Sequence, residues 1–75
     1  MEFELVKKIV AEVMKVDVKE VTSDTTFVDD LGADSLDLMR IVMNVEEQFS
    51  IKLNPKCIYD INKVSDLLSL IKKVK

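Results

Sequence analysis

A single serine set among carboxylates is the place where this chain has the means for chemistry. The run Asp29-Asp30-Leu31-Gly32-Ala33-Asp34-Ser35-Leu36-Asp37 puts aspartates on both sides of Ser35, with Gly32 three residues before it. An apolar helical pattern starts directly afterwards, so Ser35 lies where an acidic loop becomes a helix. Asp34 suits the N-cap, since its carboxylate can accept from the free amides of the first turn. Asp37 then falls at the third helical position, where negative charge complements the helix dipole. Gly32 allows a bend that a side chain would resist. This places Ser35 at the first helical position with its hydroxyl in solvent.

A helix N-terminus attracts anions, because unpaired amides and the dipole both favour negative charge. The carboxylates around Ser35 oppose that attraction. A phosphate monoester would feel the repulsion most, so a phosphoserine switch ranks low. A phosphodiester carries one charge, and a long neutral arm on it would reach away from the acids.

Other chemistries fail on inventory. The chain has no histidine, which excludes a Ser-His-Asp arrangement. No lysine adjoins Ser35 to activate it. If Gly32 took the sixth position of a calcium loop, Phe27 and Leu38 would fall where acids are required. The lone Cys57 lacks partners for a zinc site and reads as a small buried hydrophobe. We therefore expect no catalytic residue and no metal site.

The segment Asp30-Leu31-Gly32-Ala33-Asp34-Ser35-Leu36-Asp37 resembles the prosthetic-group motif of the acyl carrier proteins, and the resemblance spans essentially the whole chain. In that family the serine carries 4'-phosphopantetheine through a phosphodiester, and the arm's thiol holds acyl groups as thioesters. The resemblance implies that Ser35 is the attachment point, and that Asp34, Leu36 and Asp37 are read by a phosphopantetheinyl transferase using coenzyme A. It further implies acyl transferases and synthases with basic docking surfaces as partners, the second helix as the element they recognise, and a bundle interior that shelters the acyl chain. Two departures stand out. Arg40 occupies a position where fatty-acid-type members typically show glutamate, and Lys56 and Cys57 replace acids on the short third helix, where only Asp60 remains. Arginine is a planar cation and no neutral replacement. A specialised carrier is implied, with less basic partners or an acid facing Arg40. The Gly-Ala-Asp-Ser form also differs from the Gly-Gly pair of peptidyl carriers.

The elements that position Ser35 follow from hydrophobic spacing. Residues 3 to 16 predict a first helix, with Phe3, Val6, Val10 and Val13 in one row, widened by Ile9 and Met14. Residues 17 to 34 form a long connection, with a short turn near Asp17–Val21 and with Phe27, Val28 and Leu31 as apolar anchors. Loops of this length are often functional. Residues 35 to 49 predict the second helix, in which Leu38, Ile41, Val42, Val45 and Phe49 make a core stripe. Leu36, Met39 and Met43 form another apolar row. It is either a wider core contact or an exposed strip, edged by Asp37, Arg40 and Glu47, on which methionine adapts to partner surfaces. For docking, the candidates are Leu36, Met39, Arg40, Met43, Glu46 and Glu47. Asn54-Pro55 marks the start of a short third helix through Tyr59. Residues 63 to 74 predict the last, with Val64, Leu67, Leu68, Ile71 and Val74 inward and Lys72, Lys73 and Lys75 complementing its dipole.

The expected fold is all-α: a small four-helix bundle of three long helices and one short one, with a long first loop, in a single domain over residues 1–75. One glycine and one proline argue against a many-turned β-sandwich. The few aromatics leave an aliphatic core. No apolar run approaches the ~20 residues of a membrane span, the opening Met1-Glu2-Phe3-Glu4 has no cationic leader pattern, and a single cysteine suits a reducing compartment. A cytoplasmic monomer is expected. Residues 24 to 47 hold seven acids against Arg40 alone, a local charge of −6, whereas the remaining seven acids and ten lysines leave +3. Such an acidic middle repels nucleic acid and attracts basic surfaces. The alternative of another class is a helical interaction module without a prosthetic group, in which Ser35 is merely a residue beside a cap.

Overall fold

In the computed structural model, which describes residues 2–74, the chain forms α1 (Glu2–Met14), α2 (Ser35–Phe49) and α3 (Val64–Val74). Two 3-10 turns, Val18–Glu20 and Pro55–Tyr59, lie in the connections. The helix α1 packs on α2 and α3, and the Pro55–Tyr59 turn packs on α2. The expected all-α architecture holds, but the short third helix is a five-residue 3-10 turn, Pro55–Tyr59, which leaves three α-helices among the described residues. Asn54 and Pro55 start it as expected, with Lys56 N–H donating to Asn54 Oδ1 at 2.9 Å. The segment is too short to build successive α turns, and 3-10 geometry is the usual outcome for such short pieces.

The first helix also ends two residues earlier than its apolar spacing suggests. Lys15 takes a left-handed conformation, φ 57°, and Val16 N–H returns to the Ala11 carbonyl at 3.1 Å. Helices commonly end on such a residue, but usually with glycine or asparagine there, so lysine gives no warning. At α3 the start is fixed by Asp66, whose Oδ2 accepts from the amides of Asn62 and Lys63 at 3.0 and 3.1 Å.

The core is aliphatic around one ring. Phe27, Val6, Val10, Val21, Ile41, Val45, Val64, Leu67 and Ile71 are fully buried. Phe27 is the anchor that the long connection needs, and Leu31 packs partly against the same core. Val28, expected to help, is 58% exposed. It contributes through its backbone instead, accepting from Gly32 N–H at 3.0 Å. Successive residues of an extended or turning segment cannot all face inward, and Phe27 takes the inward position.

The connection is ordered by its bonds to the segment before α3. Phe27 N–H donates to the Asn62 carbonyl at 2.9 Å, Val64 N–H to Thr25 at 3.1 Å, and Ser65 N–H to Ser23 at 3.0 Å. An isolated antiparallel bridge joins Thr26 and Lys63. Thr25 is buried, but its hydroxyl accepts from Thr22 N–H at 2.8 Å, so no polar penalty remains. The loop that ends at Ser35 is thus tied across the molecule rather than left to hang from α2.

Candidate functional site

The mouth of α2 is built by local bonds. Thr26 N–H donates to Asp30 Oδ2 at 2.9 Å and Asp30 N–H to Thr26 Oγ1 at 3.0 Å, closing the loop on itself. Gly32 follows with φ 68°, the left-handed region that favours glycine. A side chain there would meet no neighbouring atom, so backbone conformation and not space asks for glycine. Ala33 is buried, and its N–H donates to the Phe27 carbonyl at 2.8 Å. That contact fixes the residue two positions before Ser35 to the core.

Asp34 and Asp37 form a capping box. Asp37 N–H donates to Asp34 Oδ1 at 2.9 Å, and Asp34 N–H donates to Asp37 Oδ2 at 3.3 Å. Two amides of the helix mouth are thereby satisfied by carboxylates. Ser35 is the first residue of α2 and is exposed. Both carboxylates are engaged with backbone amides, so neither is placed by these bonds to act as a base on Ser35. The chain has no histidine to activate the Ser35 hydroxyl.

Along α2 the two apolar rows separate. Leu38, Ile41, Val42 and Val45 are buried, and Phe49 packs partly against the core. Leu36, Met39 and Met43 are 64%, 46% and 62% exposed. The second row is therefore the exposed strip and not a wider core contact. It starts beside Ser35 and runs along the helix, at ~1.5 Å per residue, so that Met39 lies about 6 Å and Met43 about 12 Å further along the axis.

Beside this strip lies a cleft of about 160 Å³ between α2 and the Pro55–Tyr59 turn, lined by Met39, Val42, Met43, Glu46, Leu53, Pro55 and Ile58. Sequence reasoning did not find this cleft. Leu53 and Ile58 carry no helical period, and their apolar character in a short link was the only signal. Met43 also borders a larger hollow of about 400 Å³ toward α1, with Glu12, Val13, Lys15, Arg40 and Asn44. That hollow mixes charged and polar side chains with Val13 and Met43 and lies on the Arg40 side. Arg40 and Glu47 are exposed; Glu46 is half-buried, and its Oε2 accepts from Leu53 N–H at 2.7 Å.

Cys57 is buried as expected. Burial, and then the negative charges of Glu46 and Asp60, push its thiol above the ordinary value of 9.0. Among the described residues, no group of three or more His, Cys, Asp or Glu side chains is arranged to hold a metal. No helix among them is long and apolar enough to cross a membrane.

Residues 4–71 match the family described as a phosphopantetheine attachment site. The chain is 46% identical over 72 residues to an acyl carrier protein of Solidesulfovibrio magneticus, covering 96% of this chain and 92% of the relative. The chain belongs to the acyl carrier proteins. A second carrier, from Clostridium acetobutylicum, is 39% identical over 72 residues, covering 96% of this chain and 94% of that one. Among solved structures, one assigned as an acyl carrier protein of Mycobacterium tuberculosis superposes with a TM-score of 0.89 at 25% identity, covering 97% of both chains. The prosthetic group of this family is phosphopantetheine, and the open mouth of α2 in this carrier fits it. Ser35 is an exposed residue there, and the charge on a phosphodiester is one rather than two.

Proposed function

We propose that Ser35 Oγ is the atom through which this carrier holds 4'-phosphopantetheine, and that acyl intermediates of fatty-acid or polyketide-type synthesis ride on the arm as thioesters. The observation that carries the reading is an exposed serine at the first position of α2, held by the Asp34–Asp37 box, inside the stretch that matches the attachment family. The chain acts as one cytoplasmic, monomeric carrier domain and catalyses nothing. A phosphopantetheinyl transferase takes it as substrate and reads Asp34, Leu36 and Asp37 around the hydroxyl.

Acyl transferases and synthases dock on the exposed face of α2. Leu36, Met39 and Met43 supply the apolar contact, and Glu47, with the mouth aspartates, favours basic partner surfaces. Arg40 breaks that acidic pattern, and a partner residue opposite it is acidic or neutral. The acyl chain lodges in the cleft walled by Met39, Val42, Leu53 and Ile58, which opens on the same side of α2 as the strip leading from Ser35.

Intact-mass analysis after incubation with coenzyme A and a phosphopantetheinyl transferase tests the attachment. The wild-type chain gains one phosphopantetheine, and Ser35→Ala gains none while keeping its helical circular dichroism. No gain with several transferases would favour the interaction module without a prosthetic group.

A further inference from the structure

Glu46 was expected to stand on the docking face, but its carboxylate is turned to the link that follows α2. Leu53 N–H donates to Glu46 Oε2 at 2.7 Å, across seven residues of chain, and the bond is partly buried. Residues 51–54 have no regular secondary structure, so no helix or strand ladder holds them. Ser50 enters the link in a left-handed conformation, φ 54°, and Ile51 N–H bonds back to the Glu46 carbonyl at 3.1 Å. Beyond Ile51, the Glu46 side chain adds a hydrogen bond between α2 and the link, beside the packing of Leu53 itself. Leu53 is buried and forms one wall of the apolar cleft, and Glu46 lines the same cleft.

We propose that Glu46 is a positioning residue that holds the Leu53 wall against α2 and so limits this carrier to short acyl chains. The cleft measures about 160 Å³. An apolar cavity of roughly 150 Å³ takes one benzene molecule, so the latched cleft accommodates a chain on the order of six carbons. A longer chain has to move the Leu53 wall, and that means breaking a partly buried hydrogen bond. This inference rests on the reading of the cleft as the acyl site.

The test uses three substitutions that separate reach from charge. Glu46→Gln keeps a carbonyl oxygen at the same reach, Glu46→Asp keeps the charge but retracts it, and Glu46→Ala removes both. In the unmodified chain, amide exchange at Leu53 should speed up roughly tenfold or more in Glu46→Ala and Glu46→Asp, and far less in Glu46→Gln. The second arm loads each chain with butyryl, hexanoyl, octanoyl and decanoyl groups from the acyl-coenzyme A, and follows the methyl signals of Val42, Leu53 and Ile58 together with thioester survival in hydroxylamine. Wild type and Glu46→Gln should protect chains up to about six carbons best; Glu46→Ala and Glu46→Asp should shift best protection to octanoyl or decanoyl. Unchanged Leu53 exchange and an unchanged length profile in Glu46→Ala and Glu46→Asp would overturn the latch. So would Glu46→Asp behaving as wild type while Glu46→Gln behaves as Glu46→Ala, since charge and not reach would then matter. Wild-type chains that load but leave the cleft methyls unmoved at every length would instead sink the acyl-site reading.

Discussion

The two apolar rows of α2 are made of similar side chains and meet opposite surroundings. Leu38, Ile41, Val42 and Val45 lie in the core shared with α1 and the Pro55–Tyr59 turn. Leu36, Met39 and Met43, interleaved with them along the same helix, face outward. The difference shows that an apolar row states only that a surface is to be covered, not by what. Three helices of this size close one core, and they leave α2 a second face. That exposed face begins beside Ser35.

The largest expected contrast in stability tests this division directly. Ile41→Ala removes a side chain that is 1% exposed and should destabilise the fold by roughly 2–5 kcal/mol. Met43→Ala should stay within about 0.5 kcal/mol in urea unfolding. It should nonetheless weaken docking of a partner synthase, because the lost methionine belongs to the face proposed for docking. Equal stability losses from the two substitutions would show that the rows are not distinct.

A smaller effect belongs to the mouth of the helix, where the exposed face begins. Asp34→Ala should cost about 1 kcal/mol through loss of the N-cap bond, whereas Asp34→Asn keeps an acceptor and should cost little. If both cost the same, the carboxylate's charge and not its bond to Asp37 N–H holds the mouth.

The smallest effect lies on the turn that covers the buried row. The Cys57 thiol is raised from 9.0 by burial first, then by Glu46 and Asp60. A raised value in the folded chain means that the neutral thiol is favoured there. Its contribution to stability is fully present below 9.0 and is lost as pH rises through the higher folded value. Alkylation by iodoacetamide at pH 8 should therefore be slower in the folded chain than in urea, and stability should decline above pH 9 in wild type more than in Cys57→Ala. Fast alkylation of the folded chain would mean that the turn does not keep this side of α2 dry.

Much of the site was legible because its signals are local. Asp34, Asp37 and Gly32 specify a cap, a dipole partner and a left-handed turn within six residues, and α2 runs over the span its spacing predicts, Ser35–Phe49. Asn54-Pro55 likewise marked the start of the short turn. Other features were hidden. Lys15 ends α1 without a glycine to announce it. Glu46 looked like one more acid on a docking helix, and its bond to Leu53 depends on where the link after Ser50 turns. The cleft needs Met39 and Ile58, from separate elements, to meet.

By itself the sequence determined that the chain is helical, where α2 begins, and that Ser35 stands at its mouth, since capping and periodicity act over a few neighbouring residues. It also carried the motif by which the family is recognised. Only the tertiary structure decided which apolar row of α2 is covered, how the loop before Ser35 is tied to residues 62–65, and where the Glu46 carboxylate goes. Those outcomes depend on which distant segments come into contact, and a one-dimensional pattern of side chains does not record that.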